Sequence, residues 1–366
     1  MWHLKSNPAL FKFSALLAIV ASTLSCSDRN SISLIVNVTA TSISKLPFVI
    51  AMDQGLYAKH GLNVEMRLPT PESEGRMVAY GNFWGRVPNM LGISESSRAD
   101  ISIYGGNPMI VRVSQAGPAA RQIIIGATDC VVRAHVIARK GISSVGELKG
   151  RRIGVSSMGA TSGFQALLFA ERMGWDPVQD VSILVGYEGI DALLDGSLDA
   201  IVASENEFAD AKREDLPALL DMREWDESIA GNSIVVTPGW LEDSTHREAA
   251  RRFLIATAEA IALFHQQPQL VQRVLAEWYG VTDPERARIF YERGAWIPRK
   301  PYPCYDGIKK GMAVYGSNEM RRYQPSDFYD DSMMREIDAS GFIDGLYQDG
   351  ESTASAPLSA LQSEKK

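Results

Sequence analysis

Leu148-Lys149-Gly150-Arg151-Arg152-Ile153-Gly154-Val155-Ser156-Ser157-Met158-Gly159-Ala160-Thr161-Ser162 is the stretch around which the chain is organised. A short helix stops at Gly150, and a buried strand follows through Ile153 and Val155. A loop of small and hydroxyl-bearing residues then runs into a helix that carries Phe164, Leu167, Leu168 and Met173 on one face and stops at Gly174. The loop hands Ser157, Met158, Gly159, Ala160, Thr161 and Ser162 to the N-terminus of that helix. Free N–H groups and small hydroxyls there suit a polar or anionic group, or simply cap the helix. No phosphate-loop Lys follows and the glycines do not fit a dinucleotide fingerprint, so this is not a nucleotide loop.

The same arrangement recurs outward from this point. Ile32 to Val38 reads as a strand buried on both faces. It opens into a hydroxyl-rich loop, Thr39 to Pro47, with Ser42, Ser44 and Leu46 as candidate ligand contacts. A helix over Phe48 to Lys59 and a strand over Val64 to Leu68 complete a βαβ unit. Ala99 to Tyr104 is a strand that ends in Gly105-Gly106-Asn107-Pro108 before a helix from Met109 to Gln115. Another strand, Ile123 to Ala127, ends in Thr128-Asp129-Cys130, and Ala200 to Ala203 opens on Ser204-Glu205-Asn206-Glu207. Ligands of open α/β sheets bind at such carboxyl ends. Asn82 to Met90 reads as a loop leading into a short helix, with Trp84 packed on the surface. His135 to Arg139 and Ser233 to Thr237 read as extended segments that bracket the second βα-rich region. Apolar residues at helical spacing then close the chain from Ala250 to Trp278, with further helices near Arg286 to Glu292, Ile308 to Tyr315 and Asp331 to Ile337. The polar stretch 349–366 is expected to be disordered.

A chain of 366 residues with 45% apolar content suits two lobes with sizeable cores. A net charge of −7 argues against a nucleic-acid partner. Residues 1–25 read as an export signal: Lys5 and Lys12 precede an apolar run, Phe13 to Leu24, too short to span a bilayer. Thr23-Leu24-Ser25-Cys26 is similar to a bacterial lipoprotein box, so Cys26 is either lipidated or simply follows the signal. Cys130 and Cys304 either pair in an oxidising compartment or stay as two buried thiols. With no Cys-x-x-Cys pair, no His-x-x-x-His spacing and no nucleophile–base motif, neither a metal, a cofactor nor catalysis is expected.

Several segments, in order, resemble the bacterial solute-binding proteins of ABC transporters, in the group that serves nitrate, alkanesulfonates, taurine and thiamine pyrimidine precursors. They are Leu46-Pro47-Phe48-Val49-Ile50-Ala51 with Gly55-Leu56-Tyr57-Ala58-Lys59-His60-Gly61-Leu62, Ala99-Asp100-Ile101, Glu147-Leu148-Lys149-Gly150-Arg151-Arg152-Ile153-Gly154-Val155, Ala192-Leu193-Leu194-Asp195-Gly196 and Trp240-Leu241. The resemblance covers roughly 32–345. It implies a two-lobed α/β type II periplasmic-binding-protein fold, with lobe one over 31–132 plus 238–345, lobe two over 133–237, and a double crossover between them. It further implies a monomer in the periplasm or on the outer face of the cytoplasmic membrane. Such a protein closes on a small-molecule solute and delivers it to a permease and its ATPase, without catalysis.

Two clues bear on the solute. The loops at 39–46, 105–107 and 157–162 suit an oxyanion such as a sulfonate. Arg133 and Lys45 are candidate cations, each expected in solvent. Glu205 stands where the resemblance to the thiamine-pyrimidine branch implies an acid that accepts hydrogen bonds from an amino-pyrimidine. The Trp usual in that branch is absent after Asn37, and the cysteine cluster of the fungal pyrimidine synthases is absent near 229–236. Glu188 and Asp129 are further acid candidates. Tyr104 is a candidate to stack on a flat ligand, whereas Phe48 suits the core. A sensory binding protein, or an enzyme on the same fold, is the alternative class.

Overall fold

The computed structural model describes residues 31–68, 77–83, 87–92, 99–117, 121–187 and 189–348. The expected export signal at 1–25, Cys26, Trp84, Glu188 and the stretch 349–366 lie outside them.

The chain begins with β1 (Ile32–Val38), α1 (Leu46–Asp53), α2 (Leu56–Lys59) and β2 (Leu62–Arg67). A hairpin of β3 (Met77–Phe83) and β4 (Val87–Gly92) follows, where a loop and a short helix were expected. Next come β5 (Ile101–Gly105), α3 (Gly106–Ala116) and β6 (Ile123–Ala127). β1 lies between two parallel partners, with Ile32 opposite Leu62 and Val36 opposite Ile101. That placement explains its nearly continuous apolar run.

The second sheet is built from β7 (His135–Ala138), β8 (Arg152–Val155), α4 (Thr161–Arg172), β9 (Ser182–Val185), α5 (Asp191–Leu194), β10 (Ala200–Ala203), α6 (Glu205–Arg213) and β11 (Ala218–Asp221). Its order is β11-β7-β10-β8-β9. β12 (Asn232–Val236) then returns to the first sheet, pairing antiparallel with β5 and β6 to give the order β2-β1-β5-β12-β6. This corrects the expected boundary: Ser233 to Thr237 is a strand of the first sheet, not the end of the second lobe.

The crossovers lie just before the two extended segments, at 128–134 and 222–231, and they run side by side. Val131 and Ser228 form an antiparallel bridge, Ile229 N donates to Cys130 O at 3.1 Å, and Val132 N donates to Glu227 O at 2.9 Å. A disulfide joins Cys130 to Cys304, with Cα atoms 5.3 Å apart, so the two cysteines are not free thiols.

The closing helices are α7 (Ser244–Gln266), α8 (Pro268–Tyr279), α9 (Pro284–Gly294), α10 (Tyr305–Val314), α11 (Ser332–Ala339) and α12 (Phe342–Gln348). α7 packs its apolar stripe on the first sheet, where Phe253 stacks on Tyr57 at 5.0 Å and on Phe48 at 6.1 Å between ring centres. Phe48 is therefore core, as expected. α10 takes a different course. Ile308 joins the core that also holds Phe164 and Val155, and Tyr315, just beyond the helix, donates its hydroxyl to Met158 O at 3.0 Å. No helix among the described residues is long and apolar enough to cross a membrane.

Candidate ligand cleft

The carboxyl ends of strands from both sheets face a cavity of about 340 Å³, within the range of small-molecule sites. The β1–α1 loop contributes Thr39, Ala40, Thr41, Ser42 and Lys45. β8 and the start of α4 contribute Gly154, Ser156, Ala160, Thr161, Ser162 and Gln165. Gly105, Tyr187, Ser204, Glu207 and Asn232 complete much of the wall.

α4 is set for this by its own sequence. Ala160 is its N-cap residue, and Ser157 Oγ accepts from Ala160 N at 3.0 Å. Ser162 Oγ accepts from Ser156 N at 3.2 Å, which fixes the loop. Gly163 is needed because a Cβ there would stand 2.2 Å from Ser157 O. The N–H groups of Thr161 and Ser162 are left in the first turn, at the positive end of a helix that faces the cavity. Across the space, Thr161 Oγ1 comes within 3.4 Å of where a Cβ on Gly105 would sit, so the second sheet closes tightly on the first here.

Lys45 is the cation of this wall. It is only 4% exposed, and its Nζ donates to Thr39 Oγ1 at 3.3 Å. The expectation that it is solvated is corrected: the turn at Ile43–Lys45 folds it inward against the hydroxyl-rich loop. Arg133 is not solvated either. It is buried on the first crossover, 2.7 Å from Asp129 and donating to Arg293 O at 2.9 Å, away from the cavity wall. Glu207 brings a carboxylate to the cleft, but it accepts from Ser204 N at 2.9 Å and from the Ser204 hydroxyl, as the second half of a capping box.

Several candidates are placed elsewhere. Leu46 is core at the start of α1. Ser44 is buried behind Ser42 and receives the amide of Asn232. Gly106 and Asn107 face backbone, not ligand: their N–H groups donate to Gly231 O at 2.8 Å and Ala230 O at 3.0 Å. Tyr104 turns from the cleft into the core, where Arg112 sits over its ring at 5.1 Å and its hydroxyl donates to Gln122. Burial raises its pKa to about 12. Asp129 is sealed behind Gly231 and paired with Arg133; its pKa is raised by burial, against the pull of that arginine. Met158 is fully buried, Gly159 is buried beside it, and neither reaches the cavity, nor does Ser157. Glu205 is 8% exposed and is not part of the wall. Its Oε1 accepts from Ile43 N at 2.7 Å, tying α6 to the first sheet's loop.

Sequence reasoning passed over Gln165 and Asn232, and it placed Ser204 and Glu207 at a strand end without making them ligand contacts. Gln165 follows Thr161 by one helical turn, and Ser204-x-x-Glu207 is a readable capping box. Asn232 reaches the cleft only because β12 returns to the first sheet.

Behind the cleft lies a buried polar cluster. Arg293 Nη1 donates to His135 Nδ1 at 2.7 Å, and the imidazole stacks on Phe208 at 3.9 Å. Burial, reinforced by Arg293, lowers the His135 pKa to about 4, so the ring stays neutral. Burial also lowers the Arg293 pKa to about 10, against the stabilising charge of Glu205.

Two α/β units joined by paired crossovers around a cleft define the periplasmic-binding-protein fold. Residues 91–270 match the NMT1/THI5-like family model, in agreement with the family the sequence resembles. No curated protein matches the chain. Similar solved structures include the periplasmic aliphatic sulphonate-binding protein SsuA of Escherichia coli, at 16% identity and TM-score 0.58, covering 83% of this chain and 91% of that one. The periplasmic nitrate-binding protein NrtA of Synechocystis PCC 6803 is similar at 12% identity and TM-score 0.62, with 85% and 89% covered. The desulfurization enzyme DSZB shares the fold at 13% identity and TM-score 0.56, with 84% and 99% covered.

Proposed function

We propose that this chain is the extracytoplasmic solute-binding component of an ABC importer, and that its solute is a small organic or inorganic anion such as a sulfonate, taurine or nitrate. The observation that carries the reading is the meeting of Lys45 with the N-terminal turn of α4 in one hydroxyl-lined cavity. A buried ammonium, helix N–H groups and the hydroxyls of Thr39, Thr41, Ser42 and Thr161 together complement an oxyanion. The residues on either side belong to two sheets joined by the paired crossovers, so capture proceeds by hinge closure, with ligand stabilising the closed state. Delivery to a permease and its ATPase follows from the likeness to importer proteins. An amino-pyrimidine solute finds less support, because the Glu205 carboxylate is bonded to Ile43 N.

Calorimetric titration of the purified protein with ethanesulfonate, taurine, nitrate and an amino-pyrimidine tests this. An anion binds to the native protein, and Lys45→Met weakens it by about 30-fold or more, the loss expected when one partner of a buried charge pair is truncated. Binding of the amino-pyrimidine alone, or anion binding unaffected by Lys45→Met, overturns the reading.

A further inference from the structure

A second space lies on the far side of the contact between α6 and the β1–α1 loop. It is a hollow of about 740 Å³, walled by α6, the end of α8 and the start of α9. Thr41 lines both spaces. The first turns of α6 stand between them. Ser204 and Glu207 face the inner cavity, whereas Asn206 and Asp210 face the hollow. Glu205, between the two pairs, sends its carboxylate across to Ile43 N.

The hollow has apolar surface from Ala209, Val281, Ile289 and Phe290. Its charges have partners within the wall: Asp210 lies 2.8 Å from Arg286 and 3.2 Å from Arg213, Lys212 lies 2.6 Å from Glu285, and Asp283 accepts from Arg286 N at 2.7 Å. Such a wall suits an uncharged aliphatic chain better than a second anionic group.

We propose that the hollow is the second chamber of the solute site, and that Glu205, through its bond to Ile43 N, shuts it off and so sets the length of anion the protein accepts. The proposal rests on the inner cavity being the anion site. A short anion fits the inner cavity with the bond in place. A longer tail has to pass Thr41 and displace the bond, which leaves a buried carboxylate and a buried N–H unpaired. Removing the carboxylate side chain opens the way, and each methylene then buried in the hollow tightens binding about fourfold.

The test is calorimetric titration of ethanesulfonate and octanesulfonate into the full chain and three variants. The native protein binds ethanesulfonate at least about tenfold more tightly than octanesulfonate, since the tail has nowhere to be buried. Glu205→Ala reverses that preference. Glu205→Gln, whose amide oxygen still accepts from Ile43 N, keeps the native preference and controls for lost charge. Adding Ala209→Trp to Glu205→Ala fills the hollow and restores the short-chain preference. Retained ethanesulfonate binding shows that each variant is folded. Equal binding of both sulfonates by the native protein, or an unchanged ratio in Glu205→Ala, overturns the proposal. Failure of every protein to bind ethanesulfonate instead overturns the anion-site reading on which it stands.

Discussion

The junction between β5 and α3 and the junction between β8 and α4 look alike in sequence: an apolar strand, a run of small polar residues, then a helix. Their fates are opposite. At α3, the N–H groups of Gly106 and Asn107 are taken by Gly231 O and Ala230 O, and Pro108 has no N–H to offer. At α4, Thr161 and Ser162 keep their first-turn positions open to the cavity. The difference comes from the backbone just before β12, which lies against the first junction and leaves the second uncovered. A helix N-terminus is thus left open to a cavity only where no returning strand claims it.

Acidification sharpens this comparison with the largest effect, because the two junctions are supported differently. His135 begins the second sheet directly after the first crossover, and its pKa is lowered from 6.5 to about 4, chiefly by burial and then by Arg293. The unfolded chain takes up the proton below pH 6.5, whereas the folded chain resists until about pH 4. The stability held by the neutral ring is therefore complete above 6.5 and is lost as pH falls through that window, by about 3 kcal/mol. Urea unfolding at pH 7 and pH 4 reads the loss, and His135→Gln flattens it. Affinity at the α4 junction does not follow the same curve.

Gly106→Ala addresses the sealed junction alone. The added Cβ meets Ala230 Cβ at 2.9 Å and Ser233 Oγ at 3.0 Å. Overpacking of this kind costs about 2 kcal/mol of stability, read from the urea midpoint, while anion affinity stays unchanged. Thr161→Ala is the converse and the smallest effect: about 1 kcal/mol of anion affinity, roughly fivefold in Kd, with the urea midpoint unmoved. An exchange of these two outcomes would break the comparison.

Much of the fold was readable before the structure because its signals are local. Gly150 and Gly174 punctuate the helices on either side of Ser157 to Ser162, and β1 shows its burial in its composition. The wall of the cavity was readable to the extent that it depends on such loops: Ser42, Gly105, Ala160, Thr161 and Ser162 all reach it. What could not be read depends on distant backbone. Nothing near Gly106 reports that residues 230–231 will cover it. Nothing near Lys45 reports that its ammonium will be folded inward rather than solvated. Tyr104 alternates correctly for a strand, yet which side of the sheet faces the cleft is decided by where the second sheet lies. Glu205 stands at a strand end, where an acid suits a ligand, yet its carboxylate accepts from Ile43 N, a group 162 positions away.

The bond between Cys130 and Cys304 spans 174 positions and turns that part of the chain into a covalent ring. All of the second sheet, β12 and helices α7 to α9 lie inside it. Tension applied to the two ends is carried from residue 130 straight to residue 304, and the ring feels none of it. Only the flanks, including β1, β5 and α12, are unravelled by such a pull, and about 600 Å of extendable chain stays hidden. Stretching under reducing conditions releases that length, so the bridge makes the cleft's second wall mechanically silent while the first wall bears the load.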